Sequence, residues 1–269
     1  MRIEFDKMEG AGNDFILIDN RRGQVPSESK QRLVVDYCRR SFGVGADGMI
    51  FVENDPQYDF AWDFYNSDGS RAEMCGNGAR CVARYAAGIG AAGDAMTFRS
   101  LAGPIKATLT PRGAKVRLTN VPLPAGRETI IVENEAIDLW SLNSGVPHAV
   151  IQVEDPGAVE VKRLGRLVRR HPHFAPAGTN VNFFSMKGGD RLAIRTYERG
   201  VEDETLACGT GSVATSIAAG RFLGVTSPVT VETQGGGELV IHFTLGESEA
   251  TEVFLEGGAR KVFSGYLEA

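Results

Sequence analysis

Only four of the 269 residues are cysteine, at positions 38, 75, 81 and 208, and only four are histidine. Cys75 and Cys81 stand six apart and the histidines are scattered or fall in HPH, so the close paired spacing of a zinc site is missing. So few thiols give no disulfide framework, and in a reducing compartment they stay thiols. Basic charge is also short. With 29 Lys and Arg against 34 Asp and Glu, the net charge of −5 offers no field for nucleic acid or anionic lipid and favours a small polar ligand. No window approaches ~18 uninterrupted apolar residues, and the opening MRIEFDKMEG carries charges where a secretion signal needs an apolar stretch, so a cytoplasmic protein is expected. The remainder, 42% hydrophobic and 23% charged, is ordinary globular material, and the length suggests about two domains.

What the chain does have is a motif used twice. EMCGNGARC around Cys75 is echoed by LACGTGSVA around Cys208, each Cys-Gly-x-Gly leading into small and apolar residues that read as a helix. The offset from Cys75 to Cys208 recurs: Gly12, Gly45, Gly76, Gly78, Gly103 and Gly113 fall on Gly145, Gly178, Gly209, Gly211, Gly236 and Gly246. About two such coincidences are expected from glycines this common. Thr97 falls on Thr230 in the same register. Glycines recur at fixed places where the backbone needs positive φ or close approach, so matched turns are expected. The pattern predicts two copies of one unit related by a pseudo-twofold axis.

Alternation predicts strands at FILID, MIFVE, FAWDFY, ATLT and KVRL in the first copy, and at AVIQV, NFFSM, LAIRTY, LVIHF and TEVFL in the second. Helices are expected at SKQRLVVDYCRR, at its counterpart VKRLGRLVRR, and after each Cys-Gly-x-Gly. In the basic run from Lys162 to Arg170, Val161, Leu164, Leu167 and Val168 fall at helical spacing, which makes the charges the solvated face of an amphipathic helix. GVGADG, Gly43 to Gly48, matches a dinucleotide fingerprint in letters only, since it follows a helical stretch and leads into a strand. LTNVPLPAG, residues 118–126, reads as the linker.

A cysteine at a helix start lies beside unbonded backbone N–H groups and the positive end of the helix dipole, which favours thiolate. The flanking glycines leave those N–H groups open to an anion such as a carboxylate. Two such helix ends facing each other across a cleft can hold one amino-acid carboxylate and present sulfur to both faces of Cα. Inversion of a stereocentre takes a proton from one face and returns one to the other, which a thiolate and a thiol can share. The plain alternative makes both cysteines core residues at helix starts, as expected of Cys38 and Cys81.

At these residues the chain resembles the diaminopimelate epimerase family. The likeness runs through GAGNDF (10–15), FGVGADG (42–48), FYNSDGSRAEMCGNGARC (64–81), GVPHAV (145–150), HPHFAPAGTNVNFF (171–184), YERGVEDETLACGTGS (197–212) and the terminal GGARKVFSGYLE. The resemblance implies an α+β fold, an alpha-beta roll. Its two pseudo-twofold halves would each be a mixed, mostly antiparallel sheet wrapped around a central helix. The halves would be 1–119, carrying Cys75 and rejoined by a strand at about 260–269, and 120–259, carrying Cys208. It implies a cofactor-independent isomerase of the lysine and peptidoglycan precursor route that interconverts LL- and meso-diaminopimelate, with neither pyridoxal phosphate nor metal.

Carried over by position, Cys75 and Cys208 are the proton-transfer pair and His148 and Glu198 assist them. Gly76, Asn77, Gly209 and Thr210 form the cradle for the reacting carboxylate, and Asn13, Asn66, Asn180 and Arg199 hold the distal amine and carboxylate. Without the resemblance, Asn13 and Asn180 read as turn caps and Arg199 as half of a surface ion pair. Gly48 stands where many members have glutamine and Val146 where many have asparagine, which bears on specificity. The competing readings are a racemase of histidine or proline type on the same fold, and a non-catalytic redox clasp closed by a Cys75–Cys208 disulfide. The partners expected are a small-molecule amino-acid substrate and, as a candidate, a second copy in a homodimer, with no nucleic acid and no membrane.

Overall fold

The computed structural model describes residues 2–268, and these form two units, 2–117 with 256–268 and 118–255. Unit 1 opens with β1 (Arg2–Gly10), β2 (Asn13–Asp19), α1 (Ser27–Cys38), β3 (Gly48–Glu53), β4 (Phe60–Asn66), α2 (Gly76–Gly88), β5 (Ala95–Ser100), β6 (Gly103–Thr110) and β7 (Gly113–Arg117). Unit 2 follows with β8 (Val121–Pro122), β9 (Glu128–Val132), β10 (Glu135–Asn143), β11 (Pro147–Gln152), α3 (Val161–Arg169), β12 (Asn180–Gly188), β13 (Arg191–Glu198), β14 (Asp203–Thr205), α4 (Gly209–Leu223), β15 (Val229–Glu232), β16 (Glu238–Leu245) and β17 (Glu249–Gly257). The last strand, β18 (Arg260–Glu268), belongs to unit 1.

The strands of unit 1 pair in the order β18, β1, β2, β3, β4, β5, β6, β7. Those of unit 2 pair as β9, β10, β11, β12, β13, β15, β16. From β18 to β6 and from β9 to β16 the sense of each pairing agrees in turn: antiparallel, antiparallel, parallel, antiparallel, parallel, antiparallel. The two units are thus one mixed topology used twice. They differ in the source of the first strand. β9 forms a hairpin with β10, whereas β18 returns from the far end of the chain to place Glu268 opposite Arg2.

Each unit packs a helix on both faces of its sheet. On one face of unit 1, Leu33 and Val34 of α1 meet Ile16, Ile18, Met49, Phe51 and Leu267. In unit 2, Val161 and Val168 of α3 meet Ala149, Ile151, Val181 and Phe183. The inner helices are of another kind. α2 is buried along most of its length, and α4 is buried without a break from Gly211 to Ala219. Glycine, serine and threonine are poor helix formers, so these helices stand on tertiary packing, and their small side chains let strands close around them.

Three matched glycine pairs, Gly12 with Gly145, Gly45 with Gly178 and Gly103 with Gly236, share positive φ. At Gly178 a Cβ would also lie 2.8 Å from the Arg169 carbonyl at the end of α3, so turn and helix end fit only without a side chain. The sixth pair differs, because Gly113 has φ 145° and Gly246 has no positive φ. The segment 118–126 is not a free tether: Val121 and Pro122 pair antiparallel with Ala250 and Glu249 of β17. Among the described residues no helix is long and apolar enough to cross a membrane.

Candidate active site

Both motif cysteines are helix N-caps. Cys75 has extended backbone, φ −147° and ψ 118°, and opens α2; Cys208, φ −120° and ψ 109°, opens α4. The Cys75 sulfur accepts from the Gly78 N–H at 3.4 Å, as a capping side chain does. Cys208 Sγ lies 3.6 Å from the Thr210 hydroxyl. All four cysteines are thiols. Cys38 and Cys81 are fully buried, and burial pushes both thiols up to about 12, which leaves them neutral core residues.

In unit 1 the expected residues Asn13 and Asn77 are linked. Asn77 Nδ2 donates to Asn13 Oδ1 at 2.5 Å, and Asn13 Nδ2 donates to Asp47 Oδ2 at 2.9 Å. Asn77 Oδ1 accepts from Arg80 at 2.8 Å, so the amide has its orientation set from both sides. Gly76, the first residue of α2, contributes its carbonyl to Arg80 at 3.3 Å. Asn66, at the exposed end of β4, donates to Ser70 Oγ at 3.0 Å and stands apart from that chain of bonds. Gly48 pairs with Asn66 and Phe15, and a Cβ on it would lie 2.6 Å from the Tyr65 carbonyl. Any side chain there would force the Tyr65 carbonyl to shift.

In unit 2 the register brings His148 opposite Asn180. Asn180 Oδ1 accepts from the Arg199 N–H at 2.7 Å and its Nδ2 donates to the Pro147 carbonyl at 3.3 Å, so the amide joins the start of β11 to the end of β13. The Arg199 guanidinium donates to the Ala177 carbonyl at 3.2 Å and has no carboxylate partner among the described residues, contrary to a surface ion pair. Under the shift that carries Cys75 onto Cys208, Asn66 falls on Arg199 and Asn13 on Val146. These residues therefore occupy corresponding sheet ends beside each inner helix. Ser144 ties the turn before β11 to α4 by donating to the Thr210 carbonyl at 2.8 Å. Gly209 follows Cys208, with its would-be Cβ 2.9 Å from a Leu255 methyl.

His148 is fully buried, and desolvation, then the nearby positive charge of Arg199, pushes its imidazole down to about 3. The ring is neutral, and its tautomer is set by a residue that the motif reading missed. Asn182, fully buried on β12, donates from Nδ2 to the Ala149 carbonyl and to His148 Nδ1, both at 3.1 Å, and accepts from Thr196 Oγ1 at 3.0 Å. A carbonyl can only accept, so the amide orientation is fixed, Nδ1 is an acceptor and the proton sits on Nε2. That buried Nε2 has no hydrogen-bond partner among the described residues. The signal available in the sequence was Asn182 itself, two positions after Asn180 and therefore on the same face of the strand.

Glu198 ends β13, and burial raises its carboxyl above the ordinary value, with a hydrogen bond to Thr205 acting the other way. Among the described residues no group of three or more His, Cys, Asp or Glu is placed to hold a metal ion. Unit 1 offers a thiol at the start of α2, and unit 2 offers a thiol at the start of α4, a neutral imidazole donor, a raised carboxyl and a guanidinium without a carboxylate partner among the described residues.

The sequence profile of diaminopimelate epimerase matches residues 5–126 and 140–262. The diaminopimelate epimerase of Aquifex aeolicus is 45% identical, covering 98% of both chains, and that of Archaeoglobus fulgidus is 42% identical, covering 99% of this chain and 97% of its own. Among solved structures, a phenazine biosynthesis protein of the PhzF family from Bacillus anthracis superposes with a TM-score of 0.76 at 14% identity, all of both chains being covered. A hydroxyproline epimerase from Agrobacterium vitis superposes with a TM-score of 0.69 at 15% identity, over 99% of this chain and 91% of that one. At such identities the structural likeness establishes the fold, an α+β architecture of mostly antiparallel sheets.

Proposed function

The chain belongs to the diaminopimelate epimerase family, and from that premise we propose that it interconverts LL- and meso-diaminopimelate by proton transfer between Cys75, Cys208 and the substrate Cα. The observation that carries this reading is the repeated N-cap: one cysteine in each unit, at matching positions, each opening a buried helix. One sulfur takes the Cα proton as thiolate, the other delivers a proton from its thiol, and the roles exchange in the reverse direction. The carboxylate next to Cα gathers negative charge as the proton leaves. The first-turn N–H groups at Gly76, Asn77, Gly209 and Thr210 have no acceptor within their helices, and with the helix dipoles they favour that charge.

The remaining residues fall into place around this step. The Nε2–H of His148 donates a hydrogen bond, and the raised carboxyl of Glu198 exchanges a proton, to settle the state of the thiols. Arg199, a cation without a carboxylate partner among the described residues, takes the distal carboxylate of a substrate with two zwitterionic ends, and Asn13, Asn66 and Asn180 complete that subsite. The two units are the two epimerase halves. The same reading makes a small amino acid the partner, without nucleic acid or membrane, places the enzyme in the cytoplasm, and takes a homodimer as the candidate assembly.

The test is incubation with LL-diaminopimelate, histidine, proline and glutamate separately in deuterated water. Diaminopimelate alone is expected to invert with deuterium at Cα, and Cys75→Ala or Cys208→Ala to abolish inversion. Inversion of histidine or proline in its place would reject the substrate, and absence of exchange with all four would favour a disulfide clasp.

A further inference from the structure

The two halves differ sharply at one buried position. Arg80, one turn into α2, is fully buried and is the largest such side chain in the molecule's interior. Its guanidinium donates to Asn77 Oδ1 at 2.8 Å, to the Gly76 carbonyl at 3.3 Å and to the Gly258 carbonyl at 3.3 Å. All three acceptors are neutral, and no carboxylate pairs with it among the described residues. The corresponding position in the second copy is Val213, equally buried in α4.

Burial of a cation without a counter-ion is costly, and a charge held that way acts strongly on any group that can ionise nearby. Among the described residues, the titratable groups within electrostatic reach of the guanidinium are Cys81 and Cys75 on its own segment and Glu9 on β1. Cys81 is held neutral by its own burial, and Glu9 is turned to Arg260 and to the Gly12 N–H. That leaves the Cys75 sulfur, which already accepts the Gly78 N–H at the positive end of the helix.

We propose that Arg80 is a positioning residue that makes Cys75 the resting thiolate, while Cys208, with Val213 in the corresponding place, rests as the thiol. Through Gly76 and Asn77, Arg80 also fixes the backbone and side chain of the first turn against which the reacting carboxylate docks. The chemical repeat is therefore asymmetric before substrate arrives, with base on unit 1 and acid on unit 2. This assignment rests on the reading of the two cysteines as proton carriers.

The test needs no substrate, so its failure is distinguishable from failure of the epimerase assay. Alkylation by iodoacetamide is followed against pH by peptide-resolved mass spectrometry, for Cys75 in Cys208→Ala and for Cys208 in Cys75→Ala. The Cys75 midpoint is expected below that of Cys208. In the Cys208→Ala background, Arg80→Met is expected to raise the Cys75 midpoint by about one unit, a rate loss of about tenfold at pH 7, whereas Arg80→Lys keeps the charge and restores most of the shift. Equal or reversed midpoints overturn the proposal even if Arg80→Met fails to fold. If Arg80→Met and Arg80→Lys raise the midpoint equally, the role is packing and the electrostatic assignment is wrong.

Discussion

Gly211 and Asn182 make a pair whose substitutions should change sign with context. A Cβ on Gly211 would lie 2.2 Å from Asn182 Oδ1, a distance no relaxed structure keeps. Gly211→Ala must therefore expel the amide that serves His148, Ala149 and Thr196. Each buried group left unbonded costs about 1–3 kcal/mol, against a helix gain of about 1 kcal/mol for Ala over Gly, so the single variant should lose about 2 kcal/mol. Asn182→Ala strands the same groups directly and should lose about 3 kcal/mol. With the amide gone, the Gly211→Ala methyl keeps only a close contact with Cys208 Cβ at 3.3 Å. The helix gain then remains, so the double variant should be about 1 kcal/mol more stable than Asn182→Ala alone. Urea unfolding of the four proteins closes the cycle. Additive losses would refute the claim that the amide is what holds position 211 to glycine.

Two further outcomes follow from single residues. His148 is held neutral with its imidazole down at about 3, while the unfolded chain binds that proton below the ordinary histidine value near 6.5. Its stabilising effect is full above about pH 6.5 and is lost as pH falls toward 3, at no more than about 1.4 kcal/mol per unit, and His148→Gln should flatten that part of the stability profile measured by urea unfolding. Gly48→Gln should cost about 1–3 kcal/mol because its Cβ meets the Tyr65 carbonyl at 2.6 Å and the Phe64 ring at 2.7 Å; a variant of unchanged thermal midpoint would show that β3 and β4 yield there.

The constant offset between the two copies made the architecture legible, because shifting β1 through β6 along the chain lands each on a strand of unit 2 with the same pairing sense. The capping role of the two cysteines was legible as well, since glycine-flanked cysteine before small residues is a helix start. Other features depend on register, which one sequence does not carry. Asn182 becomes meaningful only when parallel pairing sets its strand beside His148, and Arg80 reads as a surface charge until α2 is enclosed. The strands Arg2–Gly10 and Glu135–Asn143 carry charged residues on their outer faces, and these mask an otherwise readable alternation. Val121 and Pro122 look like linker because a proline can join a sheet only at an edge, and their partner in β17 is distant in sequence.

The return of β18 has a consequence for biosynthesis. Unit 2 is continuous in sequence, but the sheet that shelters Arg80 lacks its outermost ribbon until residues 260–268 join it. Through that interval the free flank of Arg2–Gly10 is an open invitation to another polypeptide, a hazard the companion unit avoids by having its ribbon made just beforehand.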